Sequence, residues 1–190
     1  LGYRIKHLGI ARRAANGIEL RVHPTLIPAE ELIANVNGVK NAVLVQAHAV
    51  GPTLYYGAGA GAGPTASAVV ADVIDIVRDI SYTEDGAGTI PQLAFEALTN
   101  VPILSREQMT TGYYIRLNAE DQTGVLADVT TILSRAGISI DAIMQQSRLK
   151  DLIPIVILTD PVLESKMDEA LAQIQALPTI HGEIIRIRLE

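Results

Sequence analysis

A chain of 190 residues with 48% hydrophobic and 19% charged side chains can bury one large core or two small ones and is not a disordered segment. Aromatics make up only 4%, so any core is built from aliphatic side chains, and a net charge of −6 argues against a nucleic-acid surface. The lack of cysteine excludes disulfides, thiolate metal sites and a cysteine nucleophile and suits the cytoplasm, while no apolar run reaches the roughly 18 residues that a membrane helix needs.

Tyr3–Ala11 and Gly17–Leu26 are β-rich runs divided by Asn16-Gly17, a strong hairpin signal. In the second run Ile18, Leu20 and Val22 alternate with Glu19, Arg21 and His23, which predicts one buried and one wet face. Pro28–Glu31 opens a short helical turn. Asn41–Val50 and Thr53–Tyr56 read as two further strands, and a helix is expected from about Pro64 to Ile80. That helix carries Val69, Val70, Val73, Ile74, Ile76 and Val77 around most of its circumference, the pattern of a helix buried between layers. Asp85–Gly88, Pro91 and Pro102 mark an irregular stretch, with Leu93, Phe95 and Leu98 as its apolar anchors, so a linker is placed at 81–111 between parts at 1–80 and 112–190.

The second part has a clearer rhythm. Tyr113–Asn118 is a strand, and Val125, Leu126, Val129, Ile132 and Leu133 form a helical stripe that Gly137 caps. Ile138–Gln146 and Leu152–Thr159 are strands, the latter with Pro154 at an edge or entry position. Leu163, Met167, Leu171 and Ile174 mark a second helix, and Glu183–Glu190 is the last strand. The order βαββαβ predicts a ferredoxin-like arrangement, so the fold class is α+β, with strands and helices of a first domain followed by this second one.

Between the fourth strand and the first helix, Gly57, Gly59, Gly61 and Gly63 alternate with alanine. Glycine tolerates positive φ and allows close approach, and a helix N-terminus offers free N–H groups to an anion. Gly57-x-Gly59-x-x-Ala62 matches a loose dinucleotide pattern, but no acidic strand end follows about 20 residues later and no Gly-Lys-Ser/Thr follows either. Ligand contact and a close-packed turn that lets the helix approach the sheet both stand as readings. His7 and His23 lie on strands without partners at metal spacing, and His48 and His181 lie near strand ends or turns, so structural or surface roles are expected and no metal site.

Tyr3–Ala11, Arg21–Pro28, Asn35–Ala42 and Tyr55–Ala66, the last ending in Pro64-Thr65-Ala66, closely resemble the second half of bacterial homoserine dehydrogenases. The resemblance extends over essentially the whole chain, because these enzymes often carry a C-terminal ACT domain. It implies an NAD(P)-dependent oxidoreductase that interconverts L-aspartate 4-semialdehyde and L-homoserine, on the way to threonine, methionine and isoleucine. It also implies that the Rossmann domain, the substrate carboxylates and the catalytic lysine lie upstream of Tyr3. The chain, which begins without Met inside an element, is therefore expected to be a piece of a longer protein and inactive alone; Lys6 and Lys40 do not align with the catalytic lysine. By the same resemblance Gly61 approaches the NAD or NADP nucleotide, Gly57 and Gly59 shape the turn, and Asn41–Tyr56 makes a subunit contact in a homodimer or tetramer.

Asn118–Asp128 resembles the strand–turn–helix signature of ACT domains, with Thr123 where proline is more typical. The implied effector site comprises Asp121, Thr123, Gly124, Val125, Ile138 and Asp141, shared across a dimer of ACT domains, with L-threonine as the expected effector. On physical grounds alone Asp121 and Asp128 also suit an ordinary turn and first helical turn, where the helix dipole favours acids. An alternative reading is a free-standing amino-acid-binding ACT module without catalysis. Nothing in the sequence suggests nucleic-acid or membrane partners.

Overall fold

The computed structural model describes residues 1–83, 99–145 and 152–190. In chain order the elements are β1 (Tyr3–Ala14), β2 (Gly17–Pro28), β3 (Lys40–Ala47), β4 (Gly51–Ala58), α1 (Ala62–Thr83), β5 (Thr110–Glu120), α2 (Val125–Arg135), β6 (Ile140–Gln145), β7 (Leu152–Leu163), α3 (Glu164–Gln175) and β8 (Ile180–Leu189). The architecture is α+β with a six-stranded mixed sheet. Asp85–Gly88, Pro91, Leu93, Phe95 and Leu98 of the expected linker, and the Ser147–Asp151 connection, lie outside the described residues.

The chain divides into two compact units, one of Leu1–Ala29 with Val101–Glu190 and one of Glu30–Asn100. The first is built on the sheet β1-β2-β8-β5-β7-β6. Its last four strands, in the spatial order β8-β5-β7-β6, with α2 and α3 form the expected βαββαβ arrangement. The core joins Tyr113, Ile115, Leu117 and Ala119 of β5 to Ile153, Ile155 and Ile157 of β7, and to Val125, Val129, Leu133, Met167, Ala170 and Ile174 of the helices. Pro154 pairs with Asn118 near the start of β7, beyond the last β6 pair (Gln145 with Ile155), where its missing N–H costs no bond to β6.

Helix α2 ends as its sequence predicts. Gly137 has φ +69°, its N–H bonds to the Ser134 carbonyl at 2.9 Å, and the Ile138 N–H reaches back to the Leu133 carbonyl at 3.0 Å. These two reversed bonds are a Schellman closure, which needs a left-handed residue at that point.

The β1–β2 hairpin pairs without interruption from Tyr3–Pro28 to Ala14–Gly17, and β2 then adds to β8 in parallel through Thr25–Arg188 and Leu26–Leu189. The hairpin thus shares a sheet with residues 101–190, whereas the sequence alone suggested a division near residue 80. The alternation in β2 holds, but in the opposite sense to polarity. Glu19, Arg21, His23 and Thr25 are buried, while Leu20 is 47% and Val22 71% exposed. The pairing of Thr25 with Arg188 explains part of it: the odd-numbered face of β2 continues the β8 face that leads to Glu190, and Arg21 there finds the Glu190 carboxylate.

Gly17 is required at the hairpin turn for a steric reason. Residues 102–104 run beside it, with the Ile18 N–H on the Pro102 carbonyl (2.9 Å) and the Leu104 N–H on the Ile18 carbonyl (3.0 Å). A β-carbon at Gly17 would run into the Pro102 oxygen. Gly17→Ala is expected to lower stability by about 1–3 kcal/mol, the usual cost of overpacking, read as a lower midpoint in urea unfolding; an unchanged midpoint would show that residues 102–104 give way freely.

In the second unit β3 and β4 form a hairpin from Lys40–Ala58 to Ala47–Gly51, followed by the 22-residue helix α1. The short turn expected at Pro28–Glu31 appears slightly later, as a 3-10 turn at Ile33–Asn35. Val43, Tyr55, Val69, Ile76 and Ile80 are all more than half exposed, so the apolar circumference of α1 is not covered by the described residues of this chain.

Candidate functional site

The glycine turn follows β4, whose Gly57 pairs with Asn41 of β3, and ends where α1 begins at Ala62. Its glycines do different things. Gly61 has φ +129°, in the region that disfavours side chains, and its carbonyl accepts the Thr65 N–H at 3.0 Å. A β-carbon at Gly59 would strike the side-chain amide of Asn41. Gly57 and Gly63 have neither constraint, since a β-carbon at either meets open space. No acid stands in the first turn of α1, so its free N–H groups keep their positive end exposed to solvent. The Lys40 ammonium lies over the Tyr56 ring, 5.7 Å from its centre.

The second candidate region is the β5–α2 turn. Gly124 has φ +100° and caps α2, and its carbonyl accepts the Asp128 N–H at 2.9 Å. Asp121, Thr123 and Gly124 are exposed. Glu120 beside them accepts from the Gln122 amide at 2.7 Å and contacts His181 Nε2 at 2.8 Å. Val125 and Ile138 are 4% exposed and point into the core, which leaves only their backbone groups for a ligand. Asp141 is exposed, but at the far end of the sheet. Ile140 pairs with Thr159, which lies opposite Tyr113, whereas Glu120 lies opposite Leu152. Seven residues of strand between those levels put Asp141 roughly 23 Å from the Asp121–Gly124 turn. One chain therefore brings Asp121, Thr123 and Gly124 together and does not bring Asp141 to them.

Two charged clusters went unnoticed in the sequence. Glu164, fully buried, accepts from the Tyr113 hydroxyl (2.8 Å) and from the Arg188 guanidinium through both oxygens, one at 2.9 Å. Arg186 and Arg106 reach the same carboxylate from 3.4 and 3.8 Å, and both also bind Asp168. Burial pushes the Glu164 carboxyl up, but hydrogen bonds from Arg188 and Tyr113 outweigh it and hold it below the usual range. Asp168 is held low in the same way, by Arg186 and Arg106 against burial. Burial pushes the Tyr113 phenol up, and its bond to Glu164 adds to the rise.

The other cluster belongs to β2. Arg21 binds Glu190, which Arg12 also holds at 2.7 Å. His23 Nδ1 lies 3.0 Å from the Thr25 hydroxyl, and burial lowers its pKa. The signals were arginines and acids at alternating positions of β2 and β8 and a pair of acids four residues apart on α3, which equally describe wet faces. Among the described residues no group of three His, Cys, Asp or Glu is placed to hold a metal ion.

Residues 1–74 match the family model for homoserine dehydrogenase, and residues 113–179 match that for the ACT domain. The chain is 54% identical to a homoserine dehydrogenase of Pseudomonas aeruginosa and 48% identical to one of Neisseria gonorrhoeae, in each case over its full length and 44% of the relative's. The crystal structure of a homoserine dehydrogenase from Thiobacillus denitrificans superposes with a TM-score of 0.89 at 56% identity, covering all of this chain and 43% of that one. The chain thus spans less than half the length of these relatives.

Proposed function

We propose, since this chain belongs to the homoserine dehydrogenase family and matches its C-terminal part together with an ACT domain, that it completes the dinucleotide site and supplies the regulatory site of such an enzyme. The reaction is the NAD- or NADP-dependent interconversion of L-aspartate 4-semialdehyde and L-homoserine, in the biosynthesis of threonine, methionine and isoleucine. The observation that carries this reading is the turn Gly57–Gly63 running into the exposed N-terminus of α1, with Gly61 in a conformation that keeps its backbone bare. There Gly61 approaches the phosphate-bearing cofactor, and Gly57 and Gly59 shape the turn. The cofactor supplies the hydride chemistry; the residues here exclude bulk from its path and offer main-chain N–H groups.

The division into a dehydrogenase part at 1–80, a linker at 81–111 and an ACT part at 112–190 is retained as the evolutionary division, although the β1–β2 hairpin shares the ACT sheet. We expect turnover to require the portion of the relatives that this chain does not match. The working form is a cytoplasmic homo-oligomer, with Asn41–Tyr56 in a subunit contact, which would cover part of the exposed apolar surface of Val43 and Tyr55. L-threonine binds at Asp121, Thr123 and Gly124 and the backbone of Val125. Because Asp141 and Ile138 lie at the other end of the sheet, their share in that site is delivered by a second ACT domain.

The test is turnover by the full-length protein. Oxidation of L-homoserine with NAD or NADP, inhibited by L-threonine and not by isoleucine or methionine, is the expected result. Gly124→Val should remove the inhibition while leaving turnover. Absence of homoserine oxidation with either cofactor overturns the enzymatic reading, and turnover indifferent to threonine overturns the regulatory one.

A further inference from the structure

The Asp121–Gly124 turn is held from outside its own backbone. Helix α2 has Gly124 at its N-cap and no side-chain cap. Two side chains meet instead on the residue before the turn. Glu120 accepts from the Gln122 amide through Oε2 at 2.7 Å, and its Oε1 lies 2.8 Å from His181 Nε2. A carboxylate oxygen accepts, so Nε2 carries the hydrogen. Glu120 thereby joins the turn, through Gln122, to the start of β8, through His181. The Glu120 N–H on the Thr179 carbonyl, at 2.9 Å, adds a main-chain bond between the same two segments.

His181 stands at this place because β8 is irregular. From Gly112–Leu189 to Arg116–Ile185 the β5–β8 ladder keeps one register, and continuing it would set Glu183 opposite Asn118. His181 is there instead: Leu117 alone separates Arg116 from Asn118, whereas Gly182, Glu183 and Ile184 separate Ile185 from His181. The bulge turns on Gly182, at φ +73°. Gln175 at the end of α3 pins it, donating to the Gly182 carbonyl at 2.8 Å and accepting from the Ile184 N–H at 3.0 Å. Bulges re-aim side chains, and this one has a chemical consequence. By the two-residue period Asn118 and Glu120 share a face, so the regular register would bring the Glu183 carboxylate diagonally beside that of Glu120. The bulge puts a hydrogen-bond donor there in place of a like charge.

We propose that His181 and Gln122, acting through Glu120, are positioning residues that fix the Asp121–Gly124 turn in the shape that receives an amino-acid effector, with Gln175 and Gly182 supporting His181. This rests on the reading of that turn as the effector site. The scale of the effect follows from exposure. Glu120 and His181 are both partly exposed, and a surface pair of this kind shifts an equilibrium about two- to fivefold. Preorganisation returns no more than the contact that provides it.

The full-length protein is compared with His181→Leu, which removes the donor, and with His181→Gln, which offers an amide N–H in its place. Hydrogen exchange of the segment 120–125 is followed without ligand, and L-threonine is titrated by calorimetry. His181→Leu should speed the exchange and weaken threonine binding, each about two- to fivefold, at an unchanged melting temperature, because the opening is local. His181→Gln should restore both, and Gln175→Ala should act in the same direction as His181→Leu. Unchanged exchange in His181→Leu overturns the proposal, as does a fall in melting temperature that accounts for faster exchange. A loss of affinity above about tenfold that His181→Gln does not restore also overturns it, since His181 would then bond to the effector itself. Should the unaltered protein give no saturable heat with L-threonine, the effector reading fails on its own. Faster exchange in His181→Leu, reversed in His181→Gln, then still upholds the clamp on the turn, and its absence overturns that too.

Discussion

Replacing Glu164 with alanine should cost the chain about 3–5 kcal/mol, the usual penalty for removing one side of a buried ion pair. Glu164 is fully buried at the first position of α3, and its carboxylate is the acceptor on which Tyr113, Arg188 and, more distantly, Arg186 and Arg106 converge. Without it the Tyr113 hydroxyl and the Arg188 guanidinium remain inside with no acceptor, and leaving a buried donor unmet is worse than never placing it there. The Glu164 backbone N–H also bonds to the Met109 carbonyl at 2.8 Å, which ties the start of α3 to the segment entering β5. Urea unfolding monitored by circular dichroism measures the loss. If Glu164→Ala lowers the unfolding free energy by less than about 1 kcal/mol, the cluster is a solvated decoration and not part of the core. The double variant Glu164→Met with Arg188→Met should recover much of the loss, because an apolar pair of similar volume needs no partners.

The same cluster sets an acid limit. The Glu164 carboxyl is held below its ordinary value of 4.5 in the folded chain, so the folded state binds fewer protons there than the unfolded state does. Its contribution is fully present above that ordinary value and is lost as pH falls through the folded value. Asp168 acts in the same direction from an ordinary value of 3.8. His23, lowered by burial from 6.5, adds a loss at higher pH, since the unfolded chain takes up its proton first as pH falls. Stability should therefore decline from near pH 6.5 downward and more steeply below about pH 4.5, and the steeper limb should flatten in Glu164→Gln.

Much of this architecture was readable from spacing alone. The period of Val125, Val129 and Leu133 put α2 on the sheet, Gly137 closed it, and Asn16-Gly17 signalled the hairpin, whose turn is Ala15-Asn16, because each of these is decided within a few neighbouring residues. What escaped was decided by pairing between distant strands. Polarity alone would make Leu20 and Val22 the buried face of β2, yet β2 lies beside β8, and Glu190 at the end of β8 takes Arg21 inward. The stripe of α3 holds at Met167, Leu171 and Ile174 but fails at its first member: Leu163 ends β7 and is 38% exposed, and Glu164 takes the inner position, where Tyr113 and Arg188 meet its carboxylate. At the candidate sites the sequence marked the turns but not the separation of the residues named with them, since the distance from Gly124 to Asp141 follows from strand register and not from spacing.

On the proposed cofactor role of the glycine turn, valine at Gly59 of the full-length protein should lower kcat/KM about 100-fold, since a shift of about 1 Å in a group that positions a cofactor is enough for such a loss. A β-carbon at Gly59 would meet the Asn41 amide, and Asn41 pairs with Gly57 across the β3–β4 ladder, so the added bulk must either expel Asn41 or open the turn ahead of α1. Opening the turn moves Gly61 and the N–H groups that begin the helix, whereas swinging the Asn41 amide aside leaves them in place and gives a smaller loss. Steady-state kinetics with varied dinucleotide concentration should place the loss in the cofactor's KM and in kcat together, with the KM of homoserine less affected. Gly63→Ala is the matched control: with no positive φ at this position and open space around its β-carbon, the variant should keep both activity and melting temperature. Gly57→Ala separates the two readings of the turn. This chain leaves room for a methyl group there, so a loss of dinucleotide affinity without a loss of stability means that the ligand itself comes against the backbone at Gly57. Full activity in Gly57→Ala, beside a Gly59→Val that is merely unstable, would make the alternating glycines a packing device and move the cofactor contact elsewhere.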